Sequence, residues 1–288
     1  MKTKLISKIF IPVLLLVSGA AQAQVSDSIV LKDLQWDTNA PAGTIELSIP
    51  SDGSLMAGFI YTANGKQKHP TLILLHGYPG NERNLDLGQV VRSKGWNVIY
   101  FDYRGSWGSQ GQYSFKNCVQ DVANTVAFCK KYSDSLRRDT ANIVLFGHSL
   151  GGWVCLKALA EIPGIKKGFA LSAANFYSTF KNMTAQQLHA LAERPNNPFS
   201  YFVLNTSAEK IFSPIIEDLS YFNLDNDTAL ASKQFVILDE NNKNKELAAS
   251  LRKKNHNYFD YEVWQTDHGF SNKRISLINK VLQFLTRD

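Results

Sequence analysis

The sequence predicts an α/β fold: a mostly parallel sheet of about eight strands, helices on both faces, and one helical insertion. Three observations carry this expectation. Short apolar runs alternate with amphipathic helical stretches along most of the 288 residues. A Gly-x-Ser-x-Gly pentapeptide, residues 147–151, stands between one such run and one such helix. The alternation pauses once, over residues 175–232, where aromatic and polar residues mix and Pro195, Pro198 and Pro214 break helices.

Taken in order, residues 1–23 read as an export signal. Lys2, Lys4 and Lys8 precede the apolar run 9–17, and Ala21-Gln22-Ala23 has the small-x-small form that signal peptidase cuts. The run is too short to span a bilayer, so no stable membrane insertion is expected once it is removed. No cysteine follows it to accept a lipid. A periplasmic or secreted protein is expected, with one domain over residues 24–288.

Residues 45–49 and 55–61 flank the turn Pro50-Ser51-Asp52-Gly53 and read as an antiparallel hairpin. Apolar runs follow at 71–75, 96–101, 142–146 and 168–172, separated by helical stretches at 82–94, 115–131 and 150–161. After the insertion, a cap over about 175–232, come a strand at 234–238, a helix at 244–255, a strand at 259–264 and a closing helix at 271–286. The sequence has no internal repeat and no low-complexity tract, so one domain with an insertion is the economical reading.

Charge and cysteine content exclude other classes. Removal of residues 1–23 takes away three lysines and no acids, lowering the formal charge from +6 to +3. The remaining basic residues are scattered, apart from Lys166-Lys167 and Arg252-Lys253-Lys254, which argues against a nucleic-acid partner. Cys118, Cys129 and Cys155 all fall in predicted helices. An odd count gives no disulfide framework, and Cys118 and Cys129 on one straight helix would stand about 16 Å apart. Buried free thiols are expected.

The pentapeptide Gly147-His148-Ser149-Leu150-Gly151 is the strongest chemical signal. A strand that turns abruptly into a helix holds its central serine in strained backbone geometry, and side chains at the flanking positions would collide, hence the glycines. Ser149 is also set at a helix N-terminus, where free N–H groups favour developing negative charge. It is the candidate nucleophile.

With His76-Gly77-Tyr78-Pro79-Gly80 after the third strand and the run Asp102–Ser109 after the fourth, the chain resembles the α/β-hydrolase superfamily. More narrowly it is similar to the small prolyl oligopeptidase-related and dienelactone-hydrolase-like serine esterases. The resemblance covers nearly all of residues 45–288 and implies an α/β-hydrolase fold with a helical cap. It implies an oxyanion hole built from the backbone N–H groups of Leu150 and Tyr78, with the Tyr78 hydroxyl as a further candidate donor. Arg104 is expected to be buried and to pair with Asp102 or a loop carbonyl.

The family's chain order is nucleophile, acid, histidine, which places the base at His268, after the last strand and before the final helix. The other histidines, His69, His148, His189 and His256, lack that position. The register that carries the family's acid falls on Asn242, and the glycine before it is missing. Asp239 is therefore the first choice of acid and Glu240 the second; Asp267, beside the base, is expected to point away.

The expected function is hydrolysis of carboxylic esters through an acyl-enzyme on Ser149, with His268 as base and neither metal nor cofactor. An aminoacyl or peptide hydrolase of the prolyl oligopeptidase-related type is one alternative. A non-catalytic binding protein of the same fold is another, and acyl transfer to an alcohol a third. The partner in each case is a small-molecule ester or amide. The cap aromatics, among them Phe176, Tyr177, Phe180, Phe199, Tyr201, Phe202, Phe212, Tyr221 and Phe222, are expected mostly to pack and to roof the site.

Overall fold

A computed structural model of the chain describes residues 36–193 and 202–287. The predicted export signal, and Pro195, Pro198, Phe199 and Tyr201 of the cap, lie outside the described residues. Eight strands form one sheet: β1 (Gly43–Ser51), β2 (Ser54–Thr62), β3 (His69–Leu75), β4 (Asn97–Phe101), β5 (Arg138–His148), β6 (Lys167–Leu171), β7 (Gln234–Asp239) and β8 (Phe259–Val263). Their order is β1-β2-β4-β3-β5-β6-β7-β8. The hairpin strand β1 pairs antiparallel with β2, and β2 with β4, while every later pairing is parallel. This is the α/β-hydrolase fold.

The apolar runs are continuous because both faces of the sheet are covered. Side chains alternate between faces, so neighbours in β3 enter separate cores. Leu72 and Leu74 join Val98, Val144, Phe169 and Val236 under helices α1 (Leu85–Ser93) and α8 (Arg274–Leu285). Ile73 and Leu75 join Ile99, Leu145, Ala170 and Ile237 under α2 (Phe115–Lys131) and α3 (Leu150–Glu161). Helix α3 is buried from Leu150 through Leu159, with Trp153 fully enclosed. Cys118, Cys129 and Cys155 are buried free thiols on α2 and α3.

Between β6 and β7 the described residues form helices α4 (Phe176–Phe180), α5 (Ala185–Ala192) and α6 (Ala208–Glu217), then two short 3-10 turns. Helix α7 (Lys245–Lys254) links β7 to β8. The aromatics of this insertion pack mainly on one another and on α3. Trp153 stacks on Phe222 at 5.2 Å and meets Phe176 edge-on at 5.1 Å, and Phe115 lies 4.8 Å from Phe176. Several boundaries differ from the sequence expectation; β5 begins at Arg138 rather than at 142, and two helix starts shift for local reasons. Helix α1 starts at Leu85 because Asn84 takes a left-handed conformation, and the closing helix begins as a 3-10 turn, Ser271–Lys273, before Arg274.

Candidate active site

Open α/β sheets bind ligands beyond the carboxyl ends of their strands, and the candidate residues follow β3, β5, β6, β7 and β8. At the end of β5, Ser149 sits at φ 59°, ψ −120°, a costly conformation for a residue with a Cβ. Its surroundings leave no alternative. A Cβ on Gly147 would lie 1.9 Å from the Gly151 carbonyl oxygen, and one on Gly151 would lie 2.1 Å from that of Leu75. The turn is pinned on its outer side, where the Ser149 N–H donates to Leu171 at 2.9 Å and the Ser149 carbonyl accepts from Ala174 at 3.0 Å. Ser149 then opens α3, with Leu150 as its first residue.

The loop after β3 passes directly against the nucleophile. A Cβ on Gly77 would stand 3.0 Å from the Ser149 Cβ and 3.5 Å from its Oγ. Tyr78 follows, half-exposed, with its ring 6.2 Å from Tyr113 and 6.1 Å from Phe115. His76 anchors this loop from beneath. It is buried, donates from Nδ1 to the Gly77 carbonyl at 2.7 Å and packs 4.4 Å from Tyr103. Burial, helped by nearby Arg83 against the pull of the Gly77 carbonyl, lowers its pKa to about 4, so it is neutral at pH 7. Trp107 ties the other end of the loop, donating from Nε1 to Pro79 at 2.7 Å.

His268 reaches the same edge from the loop after β8. Its backbone carbonyl accepts from His148 Nε2 at 2.8 Å, and the two rings are 4.8 Å apart. The imidazole thus stands beside the residue that precedes Ser149. His148 suits this task, because burial lowers its pKa to about 4 and keeps it a neutral donor. Half of the His268 side chain is exposed, and Nδ1 meets Glu240 Oε1 at 3.0 Å and Ser172 Oγ at 2.9 Å. Asp267 turns aside, its carboxylate taken by the N–H and hydroxyl of Ser271.

The acid assignment requires a correction: the structure brings Glu240, not Asp239, to His268. Asp239 is the last residue of β7 and its side chain points into the interior, fully buried. There it accepts from the backbone N–H of Asn244 at 3.2 Å and from Asn244 Nδ2 at 3.1 Å. Burial pushes its pKa up to about 6 in spite of those bonds and of Lys243. Glu240, one residue on, faces the opposite side. Burial would raise its pKa, but hydrogen bonds from Ser172 and His268 and the charge of Lys243 outweigh that and hold it near 2.

Arg104 also departs from expectation. Rather than Asp102 or a carbonyl, it pairs with fully buried Asp121 of α2, at 2.5 Å from Nε, and with Asp52, at 2.7 Å from Nη1. Asp121 has no exposed side-chain surface and takes the Arg104 guanidinium, whereas Asp102 accepts from the Tyr100 hydroxyl at 2.6 Å and has Arg83 at 3.8 Å. Three residues at the site escaped the sequence reading: His148, Ser172 and Lys243. His148 is the variable residue of the pentapeptide, and Ser172 and Lys243 carry no signal beyond their position in the loops after β6 and β7.

Among the described residues, no group of three or more His, Cys, Asp or Glu is placed to hold a metal ion, and no helix is long and apolar enough to cross a membrane. What the arrangement offers is a strained hydroxyl, an imidazole oriented by a carboxylate, and backbone donors beside the hydroxyl.

Comparison with known proteins gives the family and the fold. The family model described as serine aminopeptidase, S33, matches residues 66–234. The chain is 27% identical over 143 residues to lysophosphatidylserine lipase ABHD12 of Danio rerio, covering 49% of this chain and 34% of that protein. It is 27% identical over 146 residues to the uncharacterized protein YfhR of Escherichia coli K12, covering 49% and 50%. The chain therefore spans between about a quarter and a half of the curated relatives it matches. Among solved structures, the Pyrococcus furiosus esterase Pf2001 superposes with a TM-score of 0.62 at 18% identity, over 89% of this chain and 95% of that one. Est1E from Butyrivibrio proteoclasticus, with ferulic acid bound, gives 0.61 at 15% identity over 84% and 100%. At such identities these two likenesses speak for the fold. The family match covers more than half of the chain, which belongs to the serine aminopeptidase S33 family of α/β-hydrolases.

Proposed function

We propose that the protein is an exported carboxylester hydrolase that works through an acyl-enzyme on Ser149. The observation that carries this reading is the placement of His268, with Nδ1 on Glu240 and its ring beside His148, the neighbour of Ser149. In this scheme Ser149 Oγ attacks the ester carbonyl while His268 Nε2 takes its proton. The amides of Tyr78 and Leu150 receive the oxyanion, each donor worth about 3 kcal/mol of barrier. The histidine then returns the proton to the leaving alcohol, and water clears the acyl group by the same route. Glu240 replaces Asp239 as the acid that orients the base.

A fluorophosphonate probe should label Ser149 in the unaltered protein, and Ser149→Ala should abolish both labelling and hydrolysis. A panel of aryl esters and aminoacyl amides should give faster turnover on the esters. Turnover of the amides alone would instead favour the peptidase reading, which the description of the family supports. Failure to label at all would make the chain a non-catalytic binder. For export, the support is the basic, then apolar, then Ala-Gln-Ala pattern of residues 1–23. N-terminal sequencing of the extracytoplasmic protein should begin at Gln24, and an intact Met1 there would refute it.

A further inference from the structure

Two side chains outside the proposed triad touch its acid. Ser172, just beyond β6, has its Oγ 2.5 Å from Glu240 Oε2, 2.9 Å from His268 Nδ1 and 2.6 Å from Lys243 Nζ. Lys243 Nζ also lies 3.2 Å from Glu240 Oε1. A hydroxyl carries one proton and two lone pairs, an ammonium only donates, and an ionised carboxylate only accepts. The hydroxyl proton therefore goes to Glu240. One lone pair accepts from Lys243, and the other faces His268 Nδ1. With the hydroxyl so engaged, both acceptors around Nδ1, Ser172 Oγ and Glu240 Oε1, demand a hydrogen on that nitrogen, which leaves Nε2 with the free lone pair a general base requires.

The backbone marks the same residue. Ser172 sits at φ 50°, in the left-handed region, held there by its N–H donating to Leu238 at 2.7 Å. A glycine or asparagine would tolerate that conformation better. Neither supplies an oxygen that donates once and accepts twice.

We infer that Ser172 and Lys243 are positioning residues: Ser172 fixes the tautomer of His268 and the carboxylate of Glu240 together, and Lys243 pins both Ser172 Oγ and Glu240 Oε1. The inference rests on the proposed function for its kinetic consequences, but not for the hydrogen on Nδ1. The other titratable groups facing His268 are His148, a neutral donor to its carbonyl, and Asp267, whose carboxylate is occupied by Ser271. Neither is engaged with Nδ1.

The test combines nitrogen-15 histidine NMR of the whole mature protein with kinetics on an uncharged aryl ester, for Ser172→Ala, Lys243→Met and Lys243→Arg. The NMR spectrum should place the His268 proton on Nδ1 in the unaltered protein, and Ser172→Ala and Lys243→Met should weaken or redistribute it. In the same two variants kcat should fall about tenfold with KM unchanged, part of the 10²–10⁴ that a well-placed base supplies. Lys243→Arg, which keeps the cation, should restore kcat. A tautomer indifferent to both substitutions would overturn the inference, as would a Lys243→Met effect confined to KM. If the NMR changes appear as expected in a protein that turns over no ester, the positioning stands and the proposed function fails.

Discussion

The elbow at residues 147–152 and the acid loop at residues 239–244 contribute to one site but are specified in different ways. In the elbow the constraints converge on one short motif. The strained angles of Ser149 and the missing side chains of Gly147 and Gly151 all arise from one tight turn against β3. In the acid loop two carboxylates stand side by side, and nothing within the loop says which belongs to the histidine. The pleat of β7 turns Asp239 inward, toward Asn244, and Glu240 outward, toward partners 68 and 28 residues away in sequence, Ser172 and His268. Environment then separates them: burial drives Asp239 up to about 6, and its bonds draw Glu240 down to about 2. A nucleophile motif announces itself because its geometry is covalent and steric, whereas an acid is defined by what the rest of the fold brings to it.

The sharpest way to break this contrast is to neutralise the two carboxylates separately. Glu240→Gln is expected to lower kcat/KM on an aryl ester by about 10²–10⁴-fold, because the amide NH₂ can face Nδ1 and favour the wrong tautomer. Asp239→Asn should cost less than about fivefold, since that side chain touches Asn244 and not the histidine. Circular dichroism should show both variants folded. If the larger loss falls on Asp239→Asn, the assignment of Glu240 is wrong.

Much of the fold could be read in advance for the same reason that the elbow could. Runs such as residues 71–75 show no alternation because Leu72 and Ile73 enter opposite cores, and a doubly covered parallel sheet follows from that pattern alone. The closing histidine was legible by chain order. Chain order failed at the acid because the register that the resemblance implies for it holds Asn242, and because a carboxylate's direction depends on where β7 ends. Arg104 failed in the same way: its partner, Asp121, lies on α2, 17 residues along the chain. Ser172 and Lys243 carry no motif at all. A serine after a strand and a lysine before a helix are ordinary until the sheet aligns β6, β7 and β8 and sets their ends side by side.

A smaller effect sharpens the contrast through stability. Asp239 has its folded pKa raised, so its contribution is complete below the unfolded value near 4 and is lost as pH rises through about 6. Glu240 has its folded pKa lowered, so its contribution is complete above the unfolded value near 4.5 and is lost as pH falls through about 2. Thermal unfolding from pH 2 to 7 should therefore give slopes of opposite sign when each variant is subtracted from the unaltered protein. The advantage over Asp239→Asn shrinks from pH 4 to 7, and the advantage over Glu240→Gln grows from pH 2 to 5. Each change is worth about 2 kcal/mol, or a few degrees in Tm for a chain of this size. Two difference curves of the same sign would mean that both carboxylates share one environment, and the division of labour between inward and outward faces of the loop would have to be abandoned.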